Sequence, residues 1–127
     1  MSRRPAILIV VLLVVVALSL GAKRRRSKRM WLTVTAYCPC EICCDGHADG
    51  LTATGRNAWK PGVAVDPEYI SLGSRLDIPL YGKRRGWWTL ADDVGGMVKG
   101  DQIDVRFTSH REARKWGKKR LKVRVWF

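Results

Sequence analysis

Five aspartates and four cysteines are the residues whose types and spacing suit chemistry. The stretch from 91 to 104, ADDVGGMVKGDQID, holds Asp92 and Asp93, then two glycines, then Asp101 and Asp104. Asp66 stands apart, closing the apolar run 62–65 just before Pro67. Asp104 lies between Ile103 and Val105. A carboxyl with apolar neighbours at the mouth of a small fold is partly desolvated, and this raises its pKa. Still protonated near neutral pH, it can donate a proton to a leaving oxygen, as cleavage of a glycosidic bond requires. A second carboxylate nearby holds the proton on the first. Gly95 and Gly96 would let a bulky polymer approach the backbone. All five aspartates are candidates on these grounds, with Asp66 and Asp93 at strand ends and Asp104 within a strand. Asp92 and Asp101 are expected to cap turns and face solvent, with the choice between Asp92 and Asp93 as the one facing the site left open.

Cys38, Cys40, Cys43 and Cys44 fall within seven residues, with Asp45 and His47 close behind. Four thiolates can bind zinc, but structural sites usually separate two pairs by a longer loop. One short loop hardly wraps a tetrahedron unaided. An even number of cysteines in an exported domain suits disulfides. Cys43 and Cys44 would then pair with Cys38 and Cys40 rather than with each other. Disulfides are the preferred reading, with free thiols and zinc as alternatives. No metal and no cofactor is expected, and His47 reads as a loop residue. Trp59, Trp87 and Trp88 have apolar faces and polar edges suited to stacking on sugar rings. One of the Trp87–Trp88 pair is expected in the core, as is Trp116.

These side chains need a scaffold, and the chain from Met30 onward alternates as strands do. Trp31, Thr33, Thr35 and Tyr37 interleave with Leu32, Val34 and Ala36. Further β-rich runs cover 62–65, 75–80, 87–91, 102–107 and 121–127. In the fifth run Ile103, Val105 and Phe107 share one face, and Asp104 and Arg106 the other. Ser109 to Glu112 fits a capping box, with Ala113 and Trp116 as the inner face of a helix and Gly117 as its stop. Six short strands and one short helix predict a mainly β fold, a small closed or nearly closed barrel.

The first 29 residues differ from the rest. Arg3-Arg4 precede an apolar run from Ala6 to Leu20. It is short for a spanning helix and long for a signal-peptide core. Residues 1–22 read as a signal peptide or membrane anchor in the form of a hydrophobic helix, 23–30 as a basic linker, and 31–127 as the barrel domain. The formal charge of +13 sits at the two ends, and residues 30–110 carry eight Lys/Arg against ten Asp/Glu. That distribution disfavours a nucleic-acid reader, whose folded surface is usually basic. Basic ends suit anionic lipid headgroups or wall polymers. The flank at 23–29 is more basic than Arg3-Arg4, so the positive-inside rule argues against export.

The ordered set of motifs resembles the 3D domain, named for three aspartates. The set runs through Thr35-Ala36-Tyr37-Cys38, Thr52-Ala53-Thr54-Gly55, Gly62-Val63-Ala64-Val65-Asp66-Pro67 and Ile70-Ser71-Leu72-Gly73-Ser74. It continues through Ile78-Pro79, Asp93-Val94-Gly95-Gly96-Met97-Val98-Lys99-Gly100, Ile103-Asp104-Val105, Ser109-His110 and Trp116-Gly117. The resemblance covers essentially all of residues 31–126, and openings like the cysteine cluster occur within the family. It implies a double-psi β-barrel, like the C-terminal barrel of membrane-bound lytic transglycosylase A. It further implies peptidoglycan cleavage, with Asp66, Asp93 and Asp104 in the places of the three aspartates. Asp104 would be the acid and then the base, as the sugar's own 6-hydroxyl attacks. Asp93 and Asp66 would shape the site, and Thr54 would hydrogen-bond the sugar. Ser71 stands where a proline is common. The transglycosylase has a second large domain that completes its glycan groove, for which this chain has no residues.

Taken together, the sequence points to cleavage of peptidoglycan glycan strands, with a non-catalytic wall-binding barrel as the alternative. The expected partners are glycan strands, the membrane through the N-terminal segment, and a protein or domain that completes the groove; no nucleic acid is expected. The expected location is the cell envelope, anchored or secreted.

Overall fold

The computed structural model describes residues 25–46, 48–82 and 87–127. The apolar segment at 1–22 and His47 lie outside them. No helix among the described residues is long and apolar enough to cross a membrane. The strands are β1 (Ser27–Tyr37), β2 (Val63–Ala64), β3 (Arg75–Asp77), β4 (Thr89–Asp93), β5 (Gln102–Arg106) and β6 (Lys119–Trp126). Helix α1 (His110–Trp116) lies between β5 and β6. The strands close in the order β1-β5-β2-β4-β3-β6. β1 runs parallel to β5 and β2 parallel to β4, while the other pairings are antiparallel. The result is a mainly β, six-stranded double-psi barrel with a short helix near the C-terminus.

Alternation drives the closure. Leu32 and Val34, Val63, Leu76, Ala91, Ile103 and Val105, and Val123 and Val125 all point inward and are fully buried. A closed barrel leaves no sheet edge to protect. The strand signal begins earlier than the composition suggested. Ser27–Met30, read as linker, are the first rungs of β1, pairing antiparallel with Val123–Trp126 of β6. Their side chains are exposed except Met30, which packs on the core. The pairing is made by the backbone, to which a basic composition is no obstacle.

Trp116 anchors α1. Its Nε1 donates to the Val34 carbonyl oxygen at 3.2 Å, and its ring meets Phe107 and Tyr81. The capping box does not form as expected. Ser109 has the extended backbone of an N-cap, but its side chain makes no capping hydrogen bond. The first helical residue, His110, instead turns its ring toward the cysteines.

Candidate active site

β2 is two residues long and lies between β4 and β5. Its Ala64 is opposite Asp93 on one side and Asp104 on the other. With strands about 4.8 Å apart, the two aspartate backbones lie roughly 10 Å apart, separated by a methyl group. The pairing of β2 with β4 shifts register between Val63 and Ala64: Val63 faces Ala91, and Ala64 faces Asp93. Asp92 is the residue skipped by this bulge, a common device for re-aiming a side chain.

The bulge decides which of the adjacent aspartates serves the groove. Asp93 reaches it. Asp92 does not face solvent as expected; it is fully buried. Arg106 donates to it twice, Nη1 to Oδ1 at 3.0 Å and Nη2 to Oδ2 at 2.7 Å, and Arg56 adds a third contact at 3.2 Å. Arg106 is 3% exposed. Gly62 makes room for the pair, because a Cβ there would land on the Arg106 guanidinium and the Asp92 carboxylate. Arg106 Nη1 also donates to the Tyr37 hydroxyl at 2.9 Å, and that hydroxyl donates to Asp93 Oδ2 at 2.7 Å. Burial holds the Tyr37 phenol well above its ordinary range, so it stays a donor. A hydrogen-bonded chain thus runs from the buried ion pair to the groove.

Asp93 is held at every turn. Its Oδ1 accepts from the backbone N–H groups of Ala53 and Val94, each at 2.9 Å. The carboxylate is therefore fixed and fully partnered. Asp104 is the opposite case. Its Oδ1 is buried with no hydrogen-bond partner. Burial pushes its pKa up to about 6, against a smaller lowering by the Thr35 hydroxyl. Both carboxylates line one groove of about 570 Å³, walled by Tyr37, Cys43, Cys44 and Gly95–Met97. Val94 and Met97 expose apolar surface at its rim.

Asp66 touches neither carboxylate. Its Oδ2 accepts from the Gly100 N–H at 2.9 Å and its Oδ1 from the Glu68 N–H at 3.1 Å. The Gly100 bond is the first cause of its lowered pKa. Asp66 ties the end of β2 to the turn joining β4 and β5. Gly100 holds a φ of 58° in that turn, where a side chain is strained. Thr54 donates its hydroxyl to the Asp92 carbonyl oxygen at 2.8 Å, holding the 51–57 loop on β4. Trp59 and Trp88 do not line the groove. Trp88 is half exposed beneath the Arg75 guanidinium, beside a separate cavity of about 480 Å³ that also includes Arg56 and Lys60. Asp101 pairs on the surface with Arg120. The four cysteine sulfurs are unbonded to one another.

Tyr37, which lines the groove, and Arg106, buried behind it, are the residues the sequence did not single out. Their signal was present: Arg106 follows Asp104 by two, and Tyr37 opens the cysteine run. The bulge that makes them matter leaves no mark in a list of residues.

The 3D domain profile matches residues 62–127. The chain belongs to the 3D domain family. The match takes in β2 through β6, and with them Asp66, Asp93 and Asp104. This 3D domain is 39% identical over 103 residues to cell wall-binding protein YocH of Bacillus subtilis, covering 78% of this chain and 33% of YocH. It is 36% identical over 102 residues to YabE of the same organism, provisionally named for cell wall shaping, covering 77% and 23%. The SPbeta prophage-derived uncharacterized protein YorM is 30% identical over 114 residues, covering 84% and 46%. The chain spans less than half the length of each.

Proposed function

We propose that this 3D domain acts on the cell wall, taking a peptidoglycan glycan strand into the Asp93–Asp104 groove and cleaving it with Asp104 as general acid. The buried, half-unpartnered Asp104 carboxyl beside a fixed Asp93 carries the reading. The names of YocH and YabE support the wall as the place of action. The proton on Asp104 passes to the bridging oxygen as its bond to the anomeric carbon breaks. Asp104 then accepts the proton of the sugar's own 6-hydroxyl as that oxygen bonds to the anomeric carbon, leaving a 1,6-anhydro end. The carboxyl is restored and no water is consumed. Asp93, held by Tyr37 and two backbone N–H groups, is a fixed negative charge across the groove. It favours positive charge on the sugar ring during transfer. Asp66 is a positioning residue that fixes the turn between β4 and β5. The three sites span the bulge, so any slip in the register of β2 moves all of them. Action on the wall puts the barrel outside the membrane. Part of the basic flank, Ser27–Arg29, belongs to β1 rather than to the border of the apolar segment.

A second reading is binding without turnover, and a specific feature favours it: among the described residues the groove is walled by the barrel and its loops alone. Incubation of the full chain with purified peptidoglycan separates the two. Cleavage releases soluble anhydro-muropeptides, and Asp104→Asn abolishes their release while the protein still pellets with the wall. Pelleting of the unsubstituted chain with no soluble product would establish the binding reading.

A further inference from the structure

We infer that Cys38, Cys40, Cys43 and His110 form a structural zinc site that fastens the 38–46 loop to the first residue of α1. The four candidate ligand atoms lie within 4.8 Å of one another. His110 Nδ1 is 3.6 Å from Cys38 Sγ, 3.6 Å from Cys40 Sγ and 3.4 Å from Cys43 Sγ. Tetrahedral zinc, with Zn–S of about 2.3 Å and Zn–N of about 2.0 Å, sets nitrogen–sulfur edges of roughly 3.5 Å. The ring nitrogen already stands at that distance from all three sulfurs. Cys38 Sγ is 3.3 Å from Cys43 Sγ and 2.6 Å from Cys40 Sγ. The tetrahedral sulfur–sulfur edge is roughly 3.8 Å, so Cys43 and Cys40 move away from Cys38 by roughly 0.5 Å and 1 Å as an ion enters. Cys40 is half-exposed and free to do so.

The fold answers the objection that one short loop cannot enclose a metal. The fourth ligand comes from another element, 67 residues beyond Cys43. The Phe107 N–H donates to the Tyr37 carbonyl oxygen at 2.8 Å. That bond joins the residue before Cys38 to the segment that leads into His110. Within the loop, the Cys44 N–H donates to the Cys40 carbonyl oxygen at 2.9 Å, folding the chain so that Cys43 turns back toward Cys38. Cys44 is left out. Its sulfur contacts the Cys38 carbonyl oxygen at 3.5 Å and lines the groove.

Thiolate-rich sets with one imidazole select soft or borderline ions, zinc first among those commonly available. Four protein ligands with no open position mark a structural site, not a catalytic one. The loop it would hold also contributes Cys43, Cys44 and Asp45 to the groove wall. The ion would thus fix one side of the groove whether or not glycan is cleaved there, and the site does not rest on the role given to Asp104.

The test needs no glycan. The full chain, reduced and stripped of metal, is titrated with cobalt(II) and then with zinc. The site predicts one ion per chain, the thiolate-to-cobalt charge-transfer and intense visible bands of a tetrahedral complex, and their bleaching by zinc. His110→Ala and Cys40→Ser each weaken binding by more than about a hundredfold, a larger loss than outer ligand partners cause. Cys44→Ser leaves it unchanged. Absence of a cobalt–thiolate spectrum in the reduced, unsubstituted chain overturns the site, whatever the variants do. So does loss of binding in His47→Ala with full retention in His110→Ala, which would remove the assigned fourth ligand. Intact mass of the untreated chain provides a third arm: a disulfide among Cys38, Cys40 and Cys43 that persists in the presence of zinc also overturns it.

Discussion

The two sides of the groove treat the same functional group in opposite ways. On the β4 side, Asp93 is saturated: two backbone N–H groups and the Tyr37 hydroxyl take up its oxygens. On the β5 side, Asp104 keeps a buried oxygen with no partner, and its pKa rises to about 6. Both are opposite Ala64 on a two-residue strand. The neighbours make the difference, not the backbone. Leaving a buried carboxyl short of partners is a way to park a proton on it.

Removing the under-partnered side should cost function most. Asp104→Asn lowers anhydro-muropeptide release by about 10²–10⁴-fold, the usual worth of a positioned general acid. The unsubstituted chain should lose rate as pH rises through about 6, because the acid must be protonated. The structural foundation of the Asp93 side comes next. Arg106→Met strands a fully buried Asp92, and breaking a buried pair from one end costs about 3–5 kcal/mol. Chemical denaturation of the variant measures that loss.

Asp104→Asn also tests the comparison through stability, with a sign that is unusual for an active carboxylate. A raised folded-state pKa means that ionising Asp104 costs the folded protein more than the unfolded chain. The penalty builds as pH rises from the ordinary carboxyl value, about 4, to about 6. At pH 8 the variant should therefore be more stable, by on the order of 2 kcal/mol, and at pH 4 the difference should vanish. Denaturation midpoints at the two pH values read this directly. Tyr37→Phe should be the mildest change, removing the hydrogen bonds to Asp93 and from Arg106 and costing about 1 kcal/mol for each. A larger loss from Tyr37→Phe than from Arg106→Met would invert the account of which contact holds this side in place.

The barrel was legible because its signal is periodic. Leu32 and Val34, Ile103 and Val105, and Val123 and Val125 alternate with polar residues, and each pair faces the core. The groove was legible in part. Apolar flanks marked Asp104 as a desolvated acid, and the resemblance to the 3D domain singled out Asp66 and Asp93 among the aspartates. Asp92 was misplaced because parity along β4 says nothing of a register shift in β2, and that shift sends Asp92 inward to Arg106. Arg106 was given no role, since nothing local marks an arginine on an alternating face as the partner of a buried acid. His110 looked like part of a cap. Its approach to three cysteines depends on the parallel pairing of β1 with β5, which brings together residues far apart in sequence. Pairings of that kind carry little local signature.

The proposed cleavage turns on the protonation state of one side chain. A carboxyl-carbon NMR titration of the isotope-labelled protein, with Asp104→Asn to assign the signal, reads that state without substrate. A midpoint for Asp104 near 6 is the predicted result. A midpoint at or below about 3.9, the value of an unperturbed aspartate, would contradict the account, because Asp104 would then have no proton to give at neutral pH.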